Sequence, residues 1–355
     1  MGKIRILVVD DSVFARTLLR GFLENDDDIE IVGEAKNGEE AVRLAIQLKP
    51  DLITMDLEMP VMDGMDAIAE IMATQAVPIL VVSNVADAKK ACAAVANGAL
   101  DAINKPEIDA GPAFVAKVKM LAKIRVITHI RLRTSITAPE MPPFQQPVIP
   151  PIVFPGASAM LLSGAEAPRL FAIASSTGGP QALALILGGL PADFPCAILI
   201  SQHISDGFAP GMAEWLASVC KLSVRLACEG ELIVAGTVYV SPSEVNLAVT
   251  PSRRITLVPR LPEEIYHPTC DVLLASVAAV YGRHGVGIIL TGMGRDGANG
   301  IEKIHRAGGT TLAQNEASSV IFGMNKVAIE RGAVQTVLAA SEIPQSMCRL
   351  AGMPV

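Results

Sequence analysis

Two serines, a histidine and an aspartate in the second half of the chain have the types and spacing of an acyl-transfer site. Ser175 and Ser176 end the apolar run FAIA and lead into TGGP, His203 follows CAILISQ, and Asp296 follows GIILTGMGR. A serine hydroxyl is barely nucleophilic at neutral pH, so a neutral imidazole must take its proton during attack and return it to the leaving group. A buried carboxylate then fixes the imidazole tautomer and stabilises the imidazolium. Backbone N–H groups of Thr177, Gly178 or Met293 are candidates to receive the oxyanion that forms. Of the five histidines only His203 closes a buried strand. His129 lies in a proline-rich stretch, His267 precedes a helix-starting proline, His284 sits in a turn and His305 lies on a polar helix face. The plainer role for the serine turn is a helix cap or a phosphate cradle. It lacks the spaced GxGxxG or the GK[ST] ending that would favour a nucleotide.

A second group of chemistry-bearing residues lies in the first third. Asp10 and Asp11 end the run ILVV, Asp56 ends LITM, Ser83 ends ILVV and Lys105 follows AIN. Three carboxylates brought together repel one another unless a cation sits among them, and hard oxygen donors in that number suit Mg²⁺. A lysine and a hydroxyl nearby complete a phosphoryl site.

Both groups need a scaffold that collects strand ends. In residues 1–123 five apolar runs recur about every 25 residues, at 4–9, 29–33, 52–55, 78–82 and 99–103, each followed by a helix-like segment. This alternation predicts a parallel sheet covered on both faces, with ligands beyond the carboxyl ends of its strands. The last helix of this part is expected over 111–123. In residues 169–355 strands are expected at 170–174, 196–200, 224–226, 236–240, 286–290 and 310–313, and a hairpin at one edge spans 245–259. The fold class is therefore α/β, with two doubly wound parallel-sheet domains. Residues 124–168 are proline-rich and aperiodic, which predicts a semi-rigid linker. The apolar residues Val148, Ile149, Ile152, Val153 and Phe154 are expected to pack part of it on a surface.

The chain of 355 residues is 51% apolar, ample for two cores. Each long apolar stretch is broken by charge, proline or glycine before it could span a bilayer, so no membrane insertion is expected. No secretion signal is visible at the N-terminus, and the six cysteines form no CxxC pair. A cytoplasmic location follows as an expectation. Residues 1–123 hold 13 basic and 20 acidic side chains, so the whole net charge of −7 lies there and the remainder is neutral. That remainder is no basic nucleic-acid surface, and it carries no convincing helix-turn-helix.

VVDDS, the stretch DLEMPVMDG, Ser83 and Lys105-Pro106 resemble the receiver domain of two-component response regulators, a flavodoxin-like fold. The resemblance implies that Asp56 accepts a phosphoryl group from a histidine kinase, with Mg²⁺ held by Asp10, Asp11 and Asp56. Ser83 and Lys105 would then bond the phosphoryl oxygens and shift the domain. Receivers often carry an aromatic residue just before this lysine, whereas this chain reads Asp101-Ala102-Ile103-Asn104. Switching is therefore expected to run through Ser83 and the helix after it.

From Leu170 onward, AIASSTGGP, SQHISDGF, HPTCDVLL, ILTGMGRDGANG and AQNEASSVIFGMNKVAI resemble the Rossmann-like catalytic domain of chemotaxis protein-glutamate methylesterases. The resemblance implies demethylation of glutamate methyl esters on methyl-accepting chemoreceptors, with release of methanol, and deamidation of receptor glutamines. It implies that phosphorylation of Asp56 by the chemotaxis kinase relieves blocking of the site by the receiver. No cofactor is expected for the esterase chemistry. Alignment on STGG selects Ser176 as nucleophile, with His203, Asp296 and the backbone of Thr177 and Met293, and Ser175 stays open as the alternative nucleophile. Ser175 stands where the family usually has alanine, and His267 where it commonly has arginine. The implied organisation is a receiver at 1–123, a linker at 124–168 and a catalytic domain at 169–355.

Overall fold

The computed structural model describes residues 2–124, 126, 169–261 and 264–354. Most of the expected linker, with His129 and the apolar residues Val148 to Phe154, lies outside them.

The first part runs β1 (Ile4–Val9), α1 (Val13–Glu24), β2 (Ile29–Ala35), α2 (Gly38–Leu48), β3 (Leu52–Met55), α3 (Gly64–Thr74), β4 (Ile79–Ser83), α4 (Ala88–Ala96), β5 (Asp101–Asn104) and α5 (Gly111–Leu121). The strands form one parallel sheet in the order β2-β1-β3-β4-β5. Side-chain caps start the first three helices: Ser12 accepts from Ala15 N, Asn37 from Glu40 N and Asp63 from Asp66 N. Strand β4 begins one residue later than its apolar run, because Pro78 has no N–H to give a ladder. The chain leaves β1 toward β2 on one side and β3 on the other, so the ends of β1 and β3 flank the crevice where strand order reverses.

The second part runs β6 (Leu170–Ser175), α6 (Gly179–Gly188), β7 (Ala197–Gln202), α7 (Ala209–Val219), β8 (Ser223–Leu226), β9 (Thr237–Val240), β10 (Val245–Val249), β11 (Ile255–Pro259), α8 (Cys270–Tyr281), β12 (Gly285–Ile289), α9 (Ala298–Arg306), β13 (Thr310–Gln314), α10 (Met324–Glu330), β14 (Thr336–Leu338) and α11 (Ile343–Leu350). Seven strands make a parallel sheet in the order β14-β13-β12-β6-β7-β9-β8. Strands β6, β7 and β12 are buried along their whole length, which is why they read as continuous apolar runs. The hairpin β10–β11 forms its own antiparallel sheet, and Leu247, Val249 and Ile255 pack it against Leu273 and Val277 of α8. The short strand β14 was not foreseen; it is three residues long, and Thr336 and Val337 are exposed, which leaves no apolar run to read.

The two parts also share cores. Phe208, at the start of α7, is wholly buried among residues of the first part, and Cys92 of α4 is buried in the core between β6, β7 and α7.

Candidate active site and phosphoryl site

The strand order of the second sheet reverses between β6 and β12, and the residues singled out for acyl transfer stand at that point. Ser175 is the last residue of β6, His203 follows β7, and Asp296 lies in the loop between β12 and α9. His203 Nε2 meets Asp296 Oδ2 at 2.7 Å. With the carboxylate on Nε2, the imidazole keeps Nδ1 as its basic nitrogen. Asp296 is 4% exposed, and its two oxygens also accept from the N–H groups of Cys270 at 2.7 Å, Asp271 at 3.0 Å and Gly297 at 2.9 Å. The first two are the opening residues of α8, so the helix dipole supports the charge. Burial works against ionisation of Asp296, but the bond from His203 and these N–H groups outweigh it and hold the carboxyl below its ordinary range.

The imidazole is held from two further sides. Tyr266 stacks on it with ring centroids 4.9 Å apart and 15° between planes, and Cys270 Sγ lies 3.4 Å from Nε2. Burial and the charge of Asp296 push the Cys270 thiol well above its usual range, so it stays protonated, 3.3 Å from the carbonyl of Ser201.

The two serines differ. Ser175 is wholly buried and its hydroxyl donates to Gln202 Oε1 at 2.6 Å. Ser176 is 7% exposed and lines a cavity of about 690 Å³ together with Thr177, His203, Tyr266, Met293 and Gly294. Gly178, with φ +78°, turns the chain into α6, a conformation that glycine adopts without strain. Among the described residues the backbone N–H groups of Thr177 and Met293 meet no acceptor, while Ser176 N donates to Thr291 O at 3.0 Å. His267, which stands where the family commonly has arginine, lines the same cavity. Burial and the neighbouring Arg260 depress its pKa, so it is neutral at neutral pH. The cation at that rim is Arg260, bound through two nitrogens to Asp206 at 3.0 and 2.9 Å.

In the first part, Asp10 and Asp56 are buried and Asp11 is exposed, with carboxylate oxygens of all three within 4.8 Å of one another. Lys105 Nζ bridges Asp10 at 2.8 Å and Asp56 at 2.9 Å. Burial raises the pKa of Asp56, Asp10 adds to the rise, and Lys105 opposes it. Burial opposes the charge of Lys105, but the two carboxylates outweigh it and raise its pKa. Ser83 is wholly buried at the end of β4, next in the sheet to β3, which ends before Asp56. Three clustered hard-oxygen donors, one of them open to solvent, are a donor set that fits Mg²⁺.

The first part covers the crevice beside Ser176 and His203. Asp101 Oδ2 accepts from Thr177 Oγ1 at 2.8 Å and pairs with Lys117 Nζ at 2.5 Å. The cavity beside Ser176 has Asp101, Lys117 and Pro106 on its far wall. Helix α4, which follows Ser83, packs on α7, where Lys89 faces Glu214 at 3.6 Å. Gln181 of α6 donates to Val95 O. Sequence reading missed Gln202, Tyr266, Cys270 and Asp101, although Gln202 and Cys270 lie inside the quoted motifs. Their roles come from neighbours far away in the chain, and no local spacing signals them.

Residues 6–112 match the model of the response regulator receiver domain, and residues 171–347 match that of the CheB methylesterase. A protein-glutamate methylesterase/protein-glutamine glutaminase of Paramagnetospirillum magneticum is 52% identical over 100% of this chain and 98% of its own. One of the same description from Pyrococcus abyssi is 36% identical over 99% of this chain and 94% of its own. The crystal structure of the Thermotoga maritima CheB methylesterase catalytic domain covers 52% of this chain and 100% of that one, at 34% identity and a TM-score of 0.51.

Proposed function

The chain belongs to the CheB methylesterase family, and from that premise we propose that it hydrolyses glutamate methyl esters on chemoreceptors, and deamidates receptor glutamines, under control of phosphorylation at Asp56. The observation that carries the chemistry is the 2.7 Å contact of His203 with Asp296 beside a serine-lined cavity at the reversal point of the sheet.

Ser176 is the nucleophile in this reading, because it lines the cavity while the hydroxyl of Ser175 is spent on Gln202. Its oxygen attacks the ester carbonyl as His203 Nδ1 takes the proton. Asp296 holds the imidazolium that forms, and the N–H groups of Thr177 and Met293 receive the oxyanion. Collapse breaks the bond to methoxide, which takes the proton from His203 and leaves as methanol. Water then attacks the acyl-serine with His203 again as base, and collapse frees the receptor carboxylate and restores Ser176. For a glutamine the leaving group is ammonia.

Asp10, Asp11 and Asp56 would hold Mg²⁺, which when bound supplies charge neutralisation for the entering phosphoryl group. A histidine kinase is the phosphodonor, and Asp56 the acceptor. Lys105 moves from the Asp10–Asp56 bridge to a phosphoryl oxygen, and Ser83 bonds another. The β4–α4 segment follows Ser83, and α4 lies on α7, so the shift loosens the receiver from the esterase crevice. The domains are residues 1–123 and 169–355, joined by 124–168, and the protein acts in the cytoplasm. Among the described residues no helix is long and apolar enough to cross a membrane.

The test is methanol release from methylated receptor membranes, with and without Mg²⁺ plus a small phosphodonor. Release should rise with phosphodonor, lose that rise in Asp56→Ala, and fall by roughly three orders of magnitude or more in Ser176→Ala. No release from cognate receptors under any condition would end the esterase reading.

A further inference from the structure

We propose that Gln202 is a positioning residue for the hydrolysis: its side-chain amide, oriented by the Ser175 hydroxyl, ties the loop carrying Ser176 to the loop carrying His203. The proposal rests on Ser176 being the nucleophile, as argued above.

Gln202 is the last residue of β7 and is 3% exposed. Its Nε2 donates to two main-chain carbonyls, those of Ser176 and His203, each at 2.8 Å. Its Oε1 accepts from Ser175 Oγ at 2.6 Å. Both amide hydrogens and the amide oxygen therefore have partners in a buried place, where an unpaired polar group is expensive. Ser175 and Gln202 are also partners in the register of β6 and β7, and the bond from His203 N to Ser175 O at 2.9 Å is the final rung between those strands. Past that rung no strand ladder fixes Ser176 relative to His203, and the amide takes over.

Only an amide does this. A carboxylate offers no hydrogen to either carbonyl, and an apolar side chain leaves both without this partner. The Ser175 hydroxyl selects the amide's orientation, because turning the group over would set Oε1 against two carbonyl oxygens. The space is reserved too: a Cβ on Gly179 would fall 1.9 Å from Oε1. Ser175, an oddity beside the nucleophile by sequence, thus has a task that leaves the chemistry to its neighbour.

The test uses the full-length protein activated by a small phosphodonor, with Ser175→Ala, Gln202→Met, Gln202→Glu and the double variant Ser175→Ala/Gln202→Met. Two rates are read: steady-state methanol release from methylated receptor membranes, and covalent labelling by a small fluorophosphonate, with the labelled peptide identified by mass. Small displacements of reacting groups can cost about a hundredfold, so each single variant should lose about tenfold or more in kcat and in labelling rate, with KM within about twofold. Because the two residues act as one unit, the double variant should be no slower than Gln202→Met. A full labelling rate in Gln202→Met, or losses that multiply in the double variant, overturns the proposal. Should Gln202→Met fail to fold, Gln202→Glu gives the same decision, since it keeps the shape and removes the donors. A label found on Ser175 in the wild type and lost in Ser175→Ala would overturn the nucleophile assignment itself, a result the peptide mass separates from failure of the positioning role.

Discussion

Asp101 and Thr177 meet across the two domains at 2.8 Å, so the receiver grips the residue beside Ser176. The same carboxylate holds Lys117, which brings the cation within 3.5 Å of the Thr177 hydroxyl. A buried or half-buried hydrogen bond of this kind contributes about 0.5–1.5 kcal/mol. Asp101→Ala should therefore raise methanol release without phosphodonor by about two- to tenfold and shrink the stimulation by phosphodonor. An unchanged basal rate would separate this contact from control.

Gly211, in α7, leaves room for α4 of the receiver. A Cβ there would lie 2.5 Å from Lys89 N and 2.6 Å from Ala88 Cβ. Overpacking costs about 1–3 kcal/mol, and here the domains can relieve it by separating. Gly211→Ala should raise the basal rate roughly tenfold, on the scale of coupling energies between sites. Methanol release read together with small-angle scattering checks both the rate and the expansion.

Gly292 leaves room behind Ser176. A Cβ would sit 2.4 Å from Met324 Sδ and 2.7 Å from Ser176 Cβ. Met324 is wholly buried in the core, so much of the strain falls on Ser176. Gly292→Ala should keep the fold and lower kcat by about a hundredfold, as measured under saturating receptor.

The two key carboxyls respond to pH in opposite directions. Asp56 has a folded pKa above its unfolded value of about 3.9, chiefly through burial, so its charge destabilises the fold above the folded pKa and the penalty is absent below the unfolded one. Asp56→Asn should raise the melting temperature at pH 7, with the gain fading as pH falls toward 4. For Asp296 burial is outweighed by His203 and the α8 N–H groups, and its folded pKa is depressed. Its stabilisation is full above the unfolded pKa and is lost as pH falls through the folded one. Asp296→Asn should melt earlier at pH 7, with the deficit closing in acid. Calorimetry across that range reads both.

The strand ends were legible because a buried parallel strand is a continuous apolar run, and its first polar residue marks the carboxyl edge. Asp10, Asp56, Ser83 and Ser175 announce themselves in this way, and Ser176 and His203 follow within two residues of such a mark. Asp296 lay seven residues past Ile289 and needed the glycines between them to be read as one loop. Which serine faces the cavity was not legible from residue types alone, since that depends on the pairing of Ser175 with Gln202 across two strands. Tyr266 and Cys270 were equally silent, because a ring over His203 and a thiol behind it are set by where α8 starts in space. Helix α4, which follows Ser83, packs on α7, a contact between elements far apart in the chain that no local pattern announces. Asp101 stood in full view beside the missing aromatic, yet nothing local shows that its partner is Thr177.

Phe208 gives the regulation a thermal character. Its ring is wholly buried among receiver side chains, so parting the domains wets it together with its neighbours and carries a positive heat-capacity change. Apolar attraction weakens on cooling. Chilling therefore weakens what Phe208 contributes to holding the two domains together.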